Sequence, residues 1–277
     1  MSFKNIIKTI KKGKVETEQG KLKRKADLQR WQIAQDSEKE YWNEFTTEFL
    51  LKRSGDRYPK KAERLLREWS EFIKINKNTK ILQIGCGPED VINYFKTGKK
   101  YSIDPLAKFY KQKFRLDYKS SHLTEGRGEE IPFPDEYFDV VVIINVLDHT
   151  QLPDKVFSEI KKVLKKNGIL HFENYIYQKR FIQLAKIKGK IKEIFKREMF
   201  NIHHPYTFTL EDVRTLVLNE FSILKESVGK DIGFHENIKE LSESVKKEKR
   251  FSTRILAKFG LLGLINYTCI CRRKNGI

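Results

Sequence analysis

Two glycines and an aspartate are the residues of this chain best suited to bind a small molecule. Gly85 and Gly87 follow the short apolar run 81–84, and Asp104 ends a second strand-like segment about one helix later. A Gly-x-Gly turn lets the backbone approach a ligand closely, and an acid at the end of the next strand can accept hydrogen bonds from both hydroxyls of a ribose. The pattern therefore indicates a nucleoside-binding βαβ unit.

The glycine motif differs from a dinucleotide fingerprint because its third glycine is missing and the acidic residue Glu89 stands next to that position. A carboxylate at that point would repel a pyrophosphate. A nucleoside cofactor without phosphate, such as S-adenosylmethionine, fits the motif better. The alternative is that Gly85 and Gly87 only form a tight turn in another kind of α/β protein.

The surrounding sequence predicts alternating strands and helices that would hold these residues at one edge of a parallel sheet. Residues 140–144 are all apolar, as in a strand buried on both faces, and Asn145 follows them. Because open α/β sheets bind ligands at the carboxyl ends of their strands, we expect Asn145 to lie near the glycine turn. The other predicted elements are helices over 89–95 and 154–166, a strand at 169–172 and an antiparallel pair at 221–228 and 266–271.

Five motifs in a fixed order give the chain a family resemblance. They are Ile-Gly-Cys-Gly-Pro at 84–88, Asp104, Gly-Glu-Glu-Ile-Pro-Phe-Pro-Asp at 128–135 with Phe138-Asp139, Asn-Val-Leu-Asp-His at 145–149, and Leu-Lys-Lys-Asn-Gly at 164–168. In this order and spacing they resemble the class I S-adenosylmethionine-dependent methyltransferases of the small-molecule type over residues 78–175. The resemblance implies an α/β fold with a Rossmann-like, seven-stranded, mostly parallel sheet, helices on both faces and a helical N-terminal extension.

The resemblance also implies cofactor contacts by motif position. The glycine turn would approach the methionine part of S-adenosyl-L-methionine, and the acid after the second strand would bind the ribose. Residues 128 and 129 match the segment that contacts adenine, and the residue after 140–144 would lie beneath the cofactor. The predicted cofactor-binding residues are Gln83, Gly85, Cys86, Gly87, Asp104, Gly128, Glu129 and Asn145.

Two positions depart from the family pattern. Gln83 stands where the family usually has an acid that helps to anchor the cofactor's amino group, and Arg127 stands where an adenine-contacting aspartate is common. Each change would weaken cofactor binding by about 1 kcal/mol. They leave open a non-catalytic member of the family.

Three histidines are candidates for the base that removes a proton from a hydroxyl acceptor. His203 and His204 begin a His-His-Pro-Tyr-Thr-Phe-Thr stretch, and similar family members place a loop beside the acceptor there. His149 lies in the Leu-Asp-His motif, where positioning a loop is the competing role. We rank His203 and His204 ahead of His149.

Positive charge is concentrated at the periphery of the sequence. The formal net charge is +19, while residues 1–30, 175–201 and 246–277 carry net charges of +7, +6 and +8. We predict a basic segment and helical cap over 1–60, a methyltransferase domain over 61–277 and a basic helical insertion at about 175–201. The basic segments fit an anionic membrane surface, a nucleic acid or simple solvation.

Cysteine use and hydropathy indicate a cytoplasmic protein. The chain has three cysteines and no signal-peptide pattern, so we expect a reducing compartment. Cys269 and Cys271 lack a second cysteine pair, and no metal site is predicted. No apolar run reaches the roughly 18 residues of a membrane span, although a position peripheral to the membrane stays open.

The sequence as a whole favours an S-adenosylmethionine-dependent methyltransferase. Its acceptor would be a small or lipid-linked molecule, such as a sugar or a quinone-like hydroxyl. The alternatives are an RNA methyltransferase that uses the basic periphery, a cofactor-binding protein without catalysis, and a membrane-surface scaffold. The sequence does not indicate an oligomeric state.

Overall fold

The chain is built around a mixed β-sheet. The computed structural model describes residues 16–18, 21–23, 28–55, 57–114, 122–177, 205–229 and 264–274. The strands are β1 (Glu16–Glu18), β2 (Lys21–Lys23), β3 (Lys80–Ile84), β4 (Lys99–Asp104), β5 (His122–Glu125), β6 (Phe138–Ile144), β7 (Leu164–Tyr177), β8 (Phe221–Gly229) and β9 (Leu264–Arg273). The helices are α1 (Leu28–Asn43), α2 (Thr47–Gly55), α3 (Arg57–Trp69), α4 (Ala107–Phe114), α5 (Pro153–Val163) and α6 (Leu210–Glu220), with 3-10 turns at Val91–Tyr94 and Leu147–His149.

Seven strands form the main sheet in the order β5-β4-β3-β6-β7-β9-β8, and β1 and β2 pair separately. Strands β3 to β7 run parallel, while β9 is antiparallel to both of its neighbours. The chain adds β4 and β5 on one side of β3 and then returns to the other side at β6. This reversal leaves a crevice at the carboxyl ends of β3 and β6, the usual ligand position in open α/β sheets. The arrangement confirms the predicted Rossmann-like fold.

Helices cover both faces of the sheet, which explains the continuous apolar run of β6. Val141 and Ile143 pack with α5 and α6 on one face. Val140 and Val142 pack with α3 on the other face. Successive side chains of a strand point to opposite faces, so every apolar residue of this run has a buried position to fill.

A buried charge network fastens α3 to β7. Glu173 is almost fully buried and accepts hydrogen bonds from Lys61 Nζ at 2.8 Å and from the Arg64 guanidinium at 3.2 Å. Trp69 Nε1 donates to His171 Nδ1 at 3.2 Å. Burial opposes the ionisation of Glu173, but the Lys61 ammonium and the adjacent His171 ring outweigh it and hold the pKa of Glu173 well below its usual value.

The predicted helix over 89–95 is wrong, because only Val91–Tyr94 is helical and it forms a single 3-10 turn. Asp90 caps its start with a side-chain oxygen. Gln83 Oε1 accepts from the first two N–H groups of the turn, at 3.2 and 3.4 Å. Phe95 already has extended backbone, since β4 begins four residues later. The connection between β3 and β4 therefore contains a single 3-10 turn where an α-helix was predicted.

Helix α5 also ends earlier than predicted, at Val163, and β7 begins directly after it. The predicted boundary at residue 60 falls within α3 and stays a prediction. Helices α1 and α2 precede it, in agreement with a helical N-terminal extension.

The predicted insertion lies outside the described residues from position 178 onward. In the described segments, no helix is long and apolar enough to cross a membrane.

Candidate functional site

A pocket opens at the carboxyl ends of β3, β4 and β6, in the crevice where the strand order reverses. It encloses about 630 Å³ of empty space, counted with its open mouth. The pocket is lined by Trp31, Gln35, Glu38, Ile84, Gly85, Gly87, Asp104, Pro105, Leu106, Tyr110, Gly126, Gly128, Glu129, Asn145, Val146, His149 and Thr150.

The turn after β3 needs its two glycines for different reasons. Gly85 and Gly87 have φ angles of +63° and +66°, which residues with side chains rarely adopt. A Cβ on Gly85 would lie 2.4 Å from a methyl carbon of Val146, so no room exists there. A Cβ on Gly87 would meet no atom within 4 Å. Gly87 therefore leaves space at the pocket that a side chain would fill.

Asp104 is a buried carboxylate at the end of β4. Its two oxygens accept hydrogen bonds from the backbone N–H groups of Gly87, at 2.9 Å, and Leu106, at 2.8 Å. Burial raises the pKa of Asp104 to about 6, two backbone N–H groups lower it, and the charge of Glu38 adds a further rise. Each carboxylate oxygen can accept more than one hydrogen bond, so Asp104 keeps the capacity to bind a diol.

The segment after β5 lines the same pocket with little side-chain bulk. A Cβ on Gly128 would come within 3.3 Å of Ile84 and Val156 side chains, so the backbone packs tightly here. Glu129 is buried, and its Oε1 accepts from the backbone N–H groups of Gln151, at 2.6 Å, and Leu152, at 3.2 Å. Glu129 therefore reaches the pocket but also fixes the chain at the start of α5.

Asn145 provides a polar atom at the floor of the pocket. Its φ angle is +53°, and its backbone N–H donates to the carbonyl oxygen of Glu173 at 2.8 Å. Its side-chain Oδ1 is buried and has no hydrogen-bond partner in the described part of the chain. A ligand that donates a hydrogen bond would satisfy this oxygen.

Of the three candidate histidines, His149 lies at the pocket, and its Nε2 is 3.9 Å from Asp148 Oδ2. His203 and His204 lie outside the described residues. The described chain resumes at residue 205, and the Tyr206 hydroxyl donates to the carbonyl oxygen of Gln151 at 2.7 Å. Tyr206, which belongs to the same stretch of sequence as the two histidines, therefore lies at the border of the pocket.

Comparison with known proteins agrees with this geometry. A family model described as a methyltransferase domain matches residues 82–172, which include the glycine turn, Asp104, Glu129 and Asn145. This part of the chain is similar to methyltransferase domains.

The chain is similar to several named proteins. It is 30% identical over 129 residues to the sterol 24-C-methyltransferase of Candida albicans, covering 43% of this chain and 34% of that protein. It is 32% identical over 139 residues to the thiol S-methyltransferase TMT1B of Rattus norvegicus, covering 46% of this chain and 57% of that protein. The chain thus spans about a third to just over half of the length of these curated relatives.

A solved structure extends the similarity at the level of the fold. It is a candidate sarcosine dimethylglycine methyltransferase from Galdieria sulphuraria, with a TM-score of 0.56 and 18% identity. The match covers 79% of this chain and 87% of that chain. The chain therefore shares its Rossmann-like fold with that protein.

Six of the eight predicted cofactor residues line one pocket, and two do not. The Gln83 side chain turns to the 3-10 turn, as described above. The Cys86 side chain packs with Ala107 and Leu123, and burial raises the pKa of its thiol well above the usual value. The side chains of Gln83 and Cys86 do not line the pocket, so these residues would affect a ligand only indirectly, through the shape of the glycine turn.

The predicted helical cap before β3 does contribute a wall of the pocket through α1, but the sequence did not show which of its residues line it. Trp31, Gln35 and Glu38 line the pocket from this helix. Trp42 Nε1 donates to Glu38 Oε1 at 2.7 Å and so orients that carboxylate. The abundance of aromatic residues before β3 predicted a cap, but no local pattern distinguishes pocket residues from packing residues.

Proposed function

We propose that this chain is an S-adenosylmethionine-dependent methyltransferase with a small or lipid-linked acceptor. The observation that carries the proposal is the buried Asp104 carboxylate, which opens into the same pocket as a side-chain-free turn at Gly87. A buried carboxylate held by two N–H groups is suited to the two hydroxyls of a ribose. The relatives named for sterol and thiol substrates support a small acceptor over RNA.

The pocket residues fit the cofactor in three places. Asp104 would accept hydrogen bonds from the ribose, and the turn at Gly87 offers space next to bare backbone. Asn145 Oδ1 is a buried acceptor that needs a donor. When bound, S-adenosylmethionine would supply a methyl group activated by its sulfonium sulfur. The chain's own residues would hold the acceptor in line with that methyl group and exclude water.

A hydroxyl acceptor must also lose a proton, and we assign its acceptance to the His149 imidazole. His149 lines the pocket, and its Nε2 lies 3.9 Å from Asp148 Oδ2. His149→Gln should then lower kcat by about 100-fold or more and leave the affinity for S-adenosylmethionine unchanged. His122→Gln, which changes an exposed histidine on β5, is the matched control. Full kcat in His149→Gln at every pH would move this role to His203 or His204.

The acceptor class can be tested with methyl-labelled S-adenosylmethionine and a cell extract separated into lipid, RNA and small molecules. We expect label in the lipid or small-molecule fraction, and none with Asp104→Ala. Asp135→Ala, which removes an exposed carboxylate before β6, should transfer label normally. Label in RNA would reassign the acceptor. Binding without any transfer would favour the cofactor-binding protein without catalysis, for which the structural use of Gln83 is the motivating observation.

A further inference from the structure

A tryptophan and an arginine from distant segments meet at the wall of the pocket. Trp31 lies on α1, is half buried and lines the cavity. The central carbon of the Arg127 guanidinium is 4.1 Å from the centre of the Trp31 ring. This is well within the roughly 6 Å of a cation–π contact. The contact ties α1 to the loop that follows β5.

The guanidinium is itself held by the two loops that border the pocket. An Arg127 terminal nitrogen donates to Gln151 Oε1 at 3.0 Å and lies 3.6 Å from Glu129 Oε1. Glu129 is fixed in turn by the backbone N–H groups of Gln151 and Leu152. A planar guanidinium with several directed donors has few ways to satisfy this set of partners. Arg127 therefore sets the position of the Trp31 indole relative to both loops.

The arrangement of the pocket indicates which part of a nucleoside would face Trp31. The ribose belongs at Asp104, and the open space beside Gly87 is suited to the part of the ligand beyond the ribose. The remaining wall combines bare backbone at Gly126 and Gly128 with two aromatic residues, Trp31 and Tyr110. Of these two, Tyr110 is buried in a core cluster and Trp31 is half buried. A flat heteroaromatic base fits a slot of this kind, because stacking on an aromatic ring does not require matched hydrogen bonds.

We propose that Trp31 contacts the adenine ring of the cofactor and that Arg127 is the positioning residue that holds the indole against it. This inference rests on the proposed function and adds a base-binding residue from outside the matched family segment. It also changes the interpretation of Arg127 as a departure from the family pattern. An arginine at a position where an aspartate is common does not simply remove an adenine contact, because it supports an aromatic one.

Two ligands isolate the contact with the base: S-adenosylhomocysteine, and S-ribosylhomocysteine, which lacks adenine. In calorimetric titration, Trp31→Leu should lower the affinity for S-adenosylhomocysteine by about tenfold or more. The same substitution should change the affinity for S-ribosylhomocysteine little. Trp31→Phe, which keeps a flat ring, should recover most of the affinity. Phe49→Leu, which changes an exposed aromatic residue on α2, is the matched control. Equal weakening of both ligands, or of neither, would overturn the contact with the base.

The positioning role of Arg127 requires a second measurement. Arg127→Gln should lower the affinity for S-adenosylhomocysteine in the native background. In a Trp31→Leu background it should cause no further loss of affinity, because the indole that Arg127 positions is already absent. Additive losses would overturn the positioning role. Thermal melting of each variant shows whether the fold is retained. If the native protein binds neither ligand, both the proposed function and this inference are refuted. If the native protein binds S-adenosylhomocysteine and Trp31→Leu binds it equally well, only this inference is refuted.

Discussion

Replacing Asp104 by asparagine should stabilise the ligand-free protein while abolishing cofactor binding. Burial raises the pKa of Asp104 from an ordinary value of 3.8 to about 6. One pKa unit corresponds to about 1.4 kcal/mol, so an ionised Asp104 costs the folded state about 3 kcal/mol at pH 8. Because the folded pKa lies above the unfolded one, this cost is absent below about pH 4 and develops as the pH rises through about 6.

Asparagine removes the charge but also one acceptor. The two carboxylate oxygens each accept an N–H, from Gly87 and Leu106, and an amide nitrogen cannot accept. One unpaired buried N–H costs about 1–2 kcal/mol. The net gain at pH 8 is then about 1–2 kcal/mol, or about 2–6 °C in Tm. At pH 5 about half of the charge cost is gone, so the gain should shrink to near zero.

Differential scanning calorimetry at pH 8 and pH 5, with and without S-adenosylmethionine, measures both effects. The ligand should raise the Tm of the native protein and leave that of Asp104→Asn unchanged. Asp135→Asn, at an exposed position, should show neither the gain nor the loss of binding. A lower Tm for Asp104→Asn at pH 8, or a ligand response equal to the native one, would refute the reasoning.

Four further predictions concern the two glycines of the turn, the α3 network and pH. Gly85→Ala should destabilise the fold by about 3 kcal/mol in urea unfolding, because its Cβ would collide with Val146. Gly87→Ala should cost only about 1–2 kcal/mol of backbone strain but weaken cofactor binding about tenfold in calorimetric titration, since the new methyl enters the pocket. Glu173→Gln should lower the free energy of unfolding by about 1–3 kcal/mol at pH 7, and the deficit should shrink as the pH falls below the ordinary value of 4.5, where the depressed pKa of Glu173 no longer contributes fully. The affinity of the native protein for S-adenosylmethionine should fall about tenfold between pH 8 and pH 5 as Asp104 gains a proton, and a constant affinity would exclude its carboxylate from the ribose contact.

The fold and the centre of the pocket could be predicted because short sequence motifs there have only one structural solution. The run 140–144 must be buried on both faces, which requires a sheet with helices on each side. Parallel strands end at a common edge, so Gly85, Asp104 and Asn145 meet although they are far apart in the chain. Backbone geometry alone brings these three residues together, and no knowledge of side-chain packing was needed.

The wall from α1 and the side-chain directions near β3 could not be predicted in the same way. Trp31 and Glu38 reach the pocket because α1 packs against α4, with Trp42 in contact with Phe114. Nothing in the local spacing of α1 encodes that packing. The length of the helix after Gly87 could not be predicted either. The residues Val91–Tyr94 have the apolar spacing of a helix but form only one 3-10 turn.

The amide at position 83 follows from this short turn. Asp90 is fully buried and accepts hydrogen bonds from the Ser102 hydroxyl and from a backbone N–H of the turn, while Ser102 lies opposite Gln83 in the sheet. An acid in place of Gln83 would put a second buried carboxylate beside Asp90, which is costly without a cation between them. A neutral acceptor can serve the N–H groups of the turn without that repulsion. The residue where the family usually places its cofactor-anchoring acid is thus committed to the fold here, and the negative charge of the pocket comes instead from Asp104, from the loop after β5 and from Glu38 on α1.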